Sequence, residues 1–525
     1  MPTASERAGN FTQQGVTPIN PTTGQPYPGN VIPSSDISSV ALGFLNLYPL
    51  PNAGNPNVAS ANNWIANKNN TYTSNQYDVR VDQYLNQKQS FFARWTWKDI
   101  NKLIPQDLLV PSESNPDNYK LFVAAHDWAL TPNILNEARF GFTIEQTSQT
   151  LPFNGSAFTD ALGLVGIGPT FPFNGLPDVS INNLKELDTD RGNSTTRNET
   201  YQFTDNLTWH KGDHTFKFGF DYRHIRAVSP LGFISGDNYG GYSFDGTFTG
   251  VPFADFLLGL PIDPDVDDVK NDNDGRSNHY NAYSQDSWHA SQKLTIEYGL
   301  RWEFHPGYID ANGNIGNFDP FIAKSGAVIY PDGASSTLAP GYLQSFDACP
   351  TLGSSAGPSA NGAPCTPVLS ASQAGYPNYL RNAPNRFVPR FGFAYRPFGD
   401  KTVFRGGFSV FNTEVLGSIY YAFTGTLQSN TRTYVNQNSQ DQPIFAWPQT
   451  QYGGLGAISP FGTAYFGTAN QLNWKDPYSM QWNFSIRSGS RLSDRPPRFV
   501  YCYGDSRFGL VAESEPVLLL DDLLH

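Results

Sequence analysis

Residues 201–224 (YQFTDNLTWHKGDHTFKFGFDYRH) alternate apolar and polar side chains on both sides of a short polar turn. Alternation of period two over this length is typical of a β-hairpin with one apolar and one polar face. Asp205 interrupts the apolar face, and the sequence offers no reason for it. The apolar positions of the two arms are Tyr201, Phe203, Leu207, Trp209, Phe216, Phe218, Phe220 and Tyr222.

The aromatic face of this hairpin has to be covered. An aromatic side chain buries roughly 150–250 Å². At about 25 cal/mol per Å², four of them on one arm represent on the order of 15–25 kcal/mol as an upper bound. Either a second β-sheet or lipid therefore covers this face.

The same alternation recurs along the chain. The two arms of each pair are separated by a few residues, whereas consecutive pairs are separated by about twenty to eighty residues. Structureless loops beyond ~12–15 residues are uncommon in ordinary domains. Short periplasmic turns, long extracellular loops and strands of ~9–11 residues are typical of outer-membrane barrels. The other arms lie at residues 77–82, 91–98, 119–129, 136–145, 390–396, 404–410 and 482–487, the last without a partner, and residues 280–303 contain both arms of a further hairpin.

These features predict an all-β fold, namely a partial antiparallel up-and-down transmembrane β-barrel with long extracellular loops. Residues 1–75 form a long loop region, 76–487 the barrel and 488–525 an atypical tail. A soluble extracellular β-sandwich that binds glycans or surfaces is the alternative, because alternation alone does not say which face points inward. Arm length, loop asymmetry and a charged content of only 15% favour the barrel.

In a barrel of this kind the polar face lines the lumen, and single charges there are expected to form ordinary ion pairs on a solvated wall. Both signs are mixed, so these residues pair across strands or hold a plug. The lumen-facing candidates are Arg80, Asp82, Arg94, Lys217, Asp221, Arg223, Glu297, Arg301, Glu303, Arg390, Arg396 and Arg405.

No catalytic, cofactor or metal site emerges, so we expect no enzyme activity, and a β-rich hydrolase is a distant third reading. The G-x-S-x-G match at 353–357 is flanked by prolines and lacks the strand and helix of a nucleophile elbow. His210 and His214 flank a hairpin turn and do not share a helix face. The acidic stretch 263–275 does not fit an EF-hand frame, so a solvated loop is favoured over a calcium site.

A net charge of −12 excludes nucleic acid as a partner and argues against an anionic membrane surface. No apolar run reaches the ~18 residues that a transmembrane helix needs. The opening MPTASERAGN has no apolar segment, so we expect no signal peptide in this chain: either the protein is cytoplasmic or the true start lies upstream. The apolar stretch PFADFLLGLP has two interpretations, a short amphipathic helix packed on a loop or a partner-docking patch, and the packed helix is favoured.

Cys349 and Cys365 lie in one Gly/Pro/Ser-rich stretch, and Cys502 is separate. A disulfide between the first two would stabilise the fold by roughly 3 kcal/mol and would need an oxidising compartment. Two unrelated thiols are the equal alternative at this stage.

The chain contains, in this order, the segments GQPYPGNVIP, LYPLPNAGNPN, NQYDVRVDQYLNQKQSFFARWTW, FADFLLGLP, YSQDSW, LTIEYGLRWEFHPG and FVPRFGFAYRPFGDKTVFRGGFSVF. Together these segments resemble the barrel of Oar-like TonB-dependent receptors of Gram-negative outer membranes. The resemblance implies a 22-stranded barrel in the cell outer membrane, contact with outer-membrane lipid, energy from the TonB complex, and a bulky extracellular ligand such as a siderophore, glycan or peptide.

The chain departs from that family pattern. A plug, a TonB box and a carboxypeptidase-like domain are missing from it, and about eleven arms are half of the family's strand count. The composition changes after Ser488, which predicts a shifted reading frame or a truncated gene, with a short terminal helix as the alternative. We therefore expect a fragment of a receptor barrel.

Overall fold

A computed structural model gives the structure of the protein. It describes residues 1–59, 62–164, 176–187, 194–229, 240–268, 272–338, 342–344, 346–355, 357, 359, 362, 364–399, 402–412, 430–450, 477–488 and 498–507.

The chain contains twenty strands in the described residues, most of them long. The strands are β1 Thr71–Asn86, β2 Gln89–Ile104, β3 Glu113–Thr131, β4 Ile134–Gln149, β5 Asp178–Ile181, β6 Ser194–Lys211, β7 His214–Ser229, β8 Gly241–Phe244, β9 Asp265–Asp268, β10 Asn273–Ser291, β11 Leu294–Phe304, β12 Ile309–Asp310, β13 Asn317–Asp319, β14 Ala327–Tyr330, β15 Val368–Ser370, β16 Arg386–Tyr395, β17 Thr402–Asn412, β18 Asn430–Thr433, β19 Tyr478–Ser488 and β20 Arg498–Arg507.

One antiparallel sheet dominates the fold. Its strands follow one another in the order β1-β2-β3-β4-β6-β7-β10-β11-β16-β17-β19-β20, and β12 pairs with the outer part of β10. This is the up-and-down arrangement that the alternating arms predict, and the described sheet is open, with β1 and β20 at its ends. The arm at 482–487 was expected to have no partner; that expectation was wrong, because β19 pairs with both β17 and β20.

The long connections fold into a packed body at the open ends of the hairpins. Its helices are α1 Ala4–Arg7, α2 Ser39–Leu45, α3 Gly155–Leu162, α4 Pro252–Leu258 and α5 Ala371–Ala374, with short 3₁₀ helices at Pro28–Asn30, Ser335–Thr337 and Tyr342–Gln344. Two small sheets accompany them, β5-β8-β9-β18 and β13-β14-β15. The expected loop 1–75 thus contains helices, and β1 already begins at Thr71.

An aromatic core holds this body together. Trp447 contacts Phe44, Tyr242, Phe244 and Phe256, with ring centroids 5.1–5.8 Å apart. These residues are far apart in sequence and almost fully buried. The core therefore connects the N-terminal segment to the connection between β7 and β10 and to the connection between β17 and β19. It positions all three segments over one end of the sheet.

Helix α4 is the helix that the PFADFLLGLP stretch predicts. It begins with Pro252, where a missing N–H is harmless, and it ends at Gly259 in the left-handed region (φ 68°). Inside it Asp255 is 1% exposed and accepts hydrogen bonds from the backbone N–H groups of Phe248 and Thr249 and from the Thr249 hydroxyl. Burial raises the pKa of Asp255 to about 6, against the opposing effect of these donors.

Cys349 and Cys365 form a disulfide across a separation of 16 residues, beside the β13-β14-β15 sheet. Cys502 lies in β20 opposite Phe484. The segment 508–525, with its expected short helix, lies outside the described residues. In the part of the chain that is described, every helix is too short or too polar to cross a bilayer.

Candidate functional site: the polar face of the sheet

Residues paired across antiparallel strands point to the same side of a sheet, so the register assigns each side chain to a face. Successive pairs connect Arg94 to Val123, Gly141, Gln202 and Arg223. Arg80 pairs with Arg94 at one end of this row. The row runs across six strands and defines one polar face.

All of the predicted lumen residues share this face except Arg396. A second row leads from Lys217 through Gln285 and Gly299 to Arg390. Arg396 lies one residue beyond the end of β16, in the turn, where its Nε donates to the Gln292 carbonyl at 2.8 Å. The alternation assigned Arg396 to the polar face, but it did not reveal that β16 ends just before this residue.

Many charges of this face pair along their own strand, because residues two apart point the same way. Arg80 and Asp82 lie 2.6 Å apart, Arg223 and Asp221 3.3 Å, and Arg301 and Glu303 2.8 Å. These pairs are partly exposed, so solvent and salt screen them and each contributes little to stability. Arg94 instead reaches Asp78 on the neighbouring strand at 2.8 Å.

A buried polar junction closes the outer end of this face, just beyond the Tyr280–Phe304 pair. The rings of His279 and His305 stack with centroids 4.5 Å apart, and they are 1% and 5% exposed. His305 Nε2 lies 2.9 Å from Asn281 Oδ1, and Asn281 Nδ2 donates to Asp221 Oδ1 at 3.0 Å. Neither ring nitrogen of His279 has a partner among the described residues.

Cations surround this junction. Arg381 is 1% exposed and donates to the His305 carbonyl at 3.4 Å. Burial, followed by His279, Arg386 and Arg223, lowers the pKa of His305 to about 3. The sequence contained one indication: His279 has the parity of the polar positions on β10. No local pattern indicated His305, which follows β11, or Arg381, which precedes β16, because both lie outside the strands.

The opposite face carries the aromatic residues. Phe203, Tyr222, Tyr280 and Phe304 form one row in register across four strands. Phe140, Phe203, Phe218 and Phe391 are 41%, 41%, 40% and 50% exposed. Such exposure means that no second sheet covers these rings in the described part of the chain.

The aromatic face is bounded along the strands. On β7 the apolar parity runs from Phe216 to Tyr222, and at the same parity Arg226 follows. Arg226 binds Glu199 at 3.2 Å and Asp274 at 2.8 Å, and Asp274 also binds Arg276 at 2.6 Å. This ion-pair cluster, which alternation did not reveal, marks the outer limit of the apolar band.

Two carboxylates interrupt the aromatic face, and both have partners. Asn136 donates to Asp205 Oδ1 at 2.5 Å, which accounts for the residue that the sequence left unexplained. Asp286 accepts from the Tyr298 hydroxyl at 2.9 Å and lies 2.7 Å from His214 Nδ1. The His214 ring in turn stacks between Phe216 and Trp288, so aromatic rings cover this polar group.

The described residues contain no group of three or more His, Cys, Asp or Glu side chains arranged to hold a metal ion. His210 and His214 belong to different strands, and His210 contacts the Thr215 hydroxyl instead. Part of the acidic stretch 263–275 lies outside the described residues. Residues 353–355 and 357 lie inside the loop that the disulfide closes, and the next element among the described residues is the strand β15.

A scan against protein-family models matches residues 1–488 to the outer membrane beta barrel domain. The chain belongs to this family. The family and the open antiparallel sheet establish an all-β, up-and-down barrel fold of which the described strands form a part. A comparison with curated proteins finds no match.

Solved structures similar to this family member include two transporters and a siderophore receptor, all at low identity. The outer membrane transporter YddB from Escherichia coli is 8% identical with a TM-score of 0.41, and the match covers 80% of this chain and 38% of YddB. The siderophore receptor PirA from Acinetobacter baumannii is 11% identical with a TM-score of 0.35, covering 80% and 41%. The copper transporter OprC is 9% identical with a TM-score of 0.35, covering 80% and 44%. The chain thus spans less than half the length of these proteins.

Proposed function

We propose that this chain forms part of the wall of an Oar-like TonB-dependent receptor in the outer membrane of a Gram-negative bacterium, and that the receptor takes up a bulky ligand such as a siderophore, glycan or peptide. In this function the chain carries out no chemical reaction. The long connections capture the ligand, and the polar face lines its passage.

The observation that carries the proposal is the division of one sheet into an uncovered aromatic face and a charged face. A water-soluble sandwich would clasp its rings between two sheets, whereas here rings such as Phe203 and Phe391 stay 41–50% exposed. Contact between such a surface and lipid carries no hydrophobic penalty, whereas its exposure to water is unfavourable.

The dimensions of the apolar band also support insertion. On β7 the apolar side chains run from Phe216 to Tyr222, which is seven residues, and the His214 ring stacked on Phe216 extends the band to nine (214 to 222). A membrane-crossing β-strand needs about 9–11 residues. The junction of His279 and His305 then lies outside the bilayer, beneath the packed body.

Membrane insertion is tested by partition between water and detergent. The full chain should be recovered with detergent or in the outer-membrane fraction, and a monodisperse monomer in detergent-free buffer would contradict the proposal.

Uptake is tested separately in the source bacterium. Accumulation of a radiolabelled ferric siderophore, a labelled glycan and a labelled peptide is compared between wild type, a deletion of this gene and a TonB-deficient strain. Loss of one probe's uptake in both mutants supports the receptor. Unchanged uptake of all three would contradict the transport function and leave the insertion result standing.

A further inference from the structure

An open recess lies on the polar face where β11, β16, β17 and β19 run side by side. Its volume is about 610 Å³, within the ~300–1,000 Å³ of small-ligand sites. The register places Glu297, Gly392, Gly407 and Asn483 in one row across these strands. The two central positions of the row therefore lack side chains.

These two glycines differ from others in the same sheet. A Cβ at Gly219 would lie 2.1 Å from the Tyr283 ring, and a Cβ at Gly406 would lie 2.5 Å from the Phe393 ring. Those glycines make room for an aromatic neighbour. At Gly392 and Gly407 the nearest atoms would be 3.6 and 3.4 Å away, which is ordinary van der Waals contact, so no aromatic ring occupies the place of the missing side chains.

Polar groups border the recess on the rows above and below. Arg390, Ser409 and Gln481 form the row toward the packed body, and Ala394, Arg405 and Ser485 form the row toward the short turns. Arg390 lies 5.3 Å from the ring of Phe411. Arg405 is exposed and has neither an ion pair nor a hydrogen bond among the described residues.

The balance of charge selects the ligand. Two guanidinium groups, with the amides of Gln481 and Asn483, match a carboxylate or phosphate group, which arginine binds with paired hydrogen bonds. Glu297, at one end of the row that contains the two glycines, accepts hydrogen bonds but repels a second anion. A ligand that binds both the two arginines and Glu297 therefore has a hydroxyl or amino donor next to its anionic group.

We propose that this recess binds the anionic group of a hydroxy- or amino-substituted carboxylate, or of a similar phosphate, inside the lumen. Arg405 is its principal anchor and Glu297 accepts from the neighbouring donor. The inference rests on the proposed assignment of this face to the lumen, but binding can be measured without transport.

The test uses the full chain in detergent micelles and calorimetric titration with malate, succinate and inorganic phosphate. Malate should bind more tightly than succinate, which lacks the hydroxyl, and Glu297→Gln should reduce that difference. Loss of a charge-assisted hydrogen bond in Arg405→Gln should weaken malate binding roughly tenfold or more. Gly407→Leu should abolish binding by filling the recess while all charges remain.

Lys88→Gln is the matched control, because it removes one positive charge in a distant turn and should leave malate binding unchanged. Circular dichroism checks that each variant keeps its strands. Binding that is equal in wild type, Arg405→Gln and Gly407→Leu would overturn the proposal, as would the absence of malate and phosphate binding in wild type. Equal binding of malate and succinate would overturn the role of Glu297.

Discussion

Acidification should open the contact between β10 and the segment that follows β11, because His305 is held neutral there. The native pKa of His305 is about 3, whereas a free histidine has a pKa of about 6.5. A histidine with a lowered native pKa contributes stability above its unfolded pKa and loses it as the pH falls toward its native pKa. The window of lost stability therefore runs from about pH 6.5 down to about pH 3.

The magnitude follows from this difference. At about pH 4.5 the detached histidine lies about two units below its pKa and is protonated, while the packed one stays neutral. At about 1.36 kcal/mol per unit, the contact loses up to about 2.7 kcal/mol between pH 7.5 and 4.5, or about 100-fold in its opening equilibrium. Burial, which disfavours the protonated ring, provides the main physical cause, followed by the neighbouring His279 and Arg386.

Ser277 reports this opening, because it is 2% exposed and its hydroxyl donates to the Pro306 carbonyl at 3.0 Å. In a Cys502→Ser background, Ser277→Cys should react with a thiol reagent up to about 100-fold faster at pH 4.5 than at pH 7.5. Each rate is first divided by the reaction rate of the unfolded chain at the same pH. His305→Gln should reduce this dependence, and the part that remains belongs to His279, whose pKa burial lowers to about 4. His210→Gln, at an exposed turn, should leave it intact, and equal slopes in wild type and His305→Gln would refute the reasoning.

Three further predictions concern packing and the outer body. Gly219→Ala places a Cβ 2.1 Å from the Tyr283 ring and should destabilise the barrel by about 1–3 kcal/mol in urea unfolding, whereas Gly407→Ala, with 3.4 Å, should not; equal losses would contradict the register. Asp255 has a raised pKa of about 6, so its contribution to the stability of the native state is complete below about pH 4, and up to about 3 kcal/mol of it is lost as the pH rises through 6. Hydrogen exchange of the α4 amides should show this loss of stability, and Asp255→Asn should remove its dependence on pH. Reduction of the Cys349–Cys365 disulfide should lower the protection of β14 amides by about 3 kcal/mol, with Cys502→Ser as the unaffected control; unchanged protection would mean that the bridge does not stabilise this sheet.

The hairpins could be predicted because each strand is apolar on one face, and period two is visible within ten residues. The ends of the strands could not, since the residues of β10 before His279 are polar on both faces, while beyond Tyr222 the apolar Ile225 and Ala227 lie on the face that was polar. The alternation therefore disappears while the hydrogen bonding continues, and Asn273 to Asn278 belong to β10 without any periodic indication. The strand lengths predicted from the sequence therefore correspond to the apolar band, whereas the hydrogen-bonded strands continue beyond it.

The packed body was hidden for a different reason. Phe44 and Trp447 stack at 5.2 Å although about four hundred residues separate them. No local pattern encodes such a contact, and segments rich in Pro, Asn and Gly resemble solvated loops until their few aromatic residues meet. The recess at Gly392 and Gly407 was likewise invisible, because only the register shows which glycines are adjacent and which are covered.

Site-directed fluorescence quenching tests most directly which face meets lipid. Lys217 and Phe218 are neighbours on β7 that point to opposite faces, and each is replaced by cysteine in a Cys502→Ser background, labelled with a small fluorophore and reconstituted in vesicles. The account predicts that brominated lipid quenches the label at 218 and aqueous iodide the label at 217. Quenching by brominated lipid at 217 and by iodide at 218, or iodide quenching of both to the same extent, would contradict it.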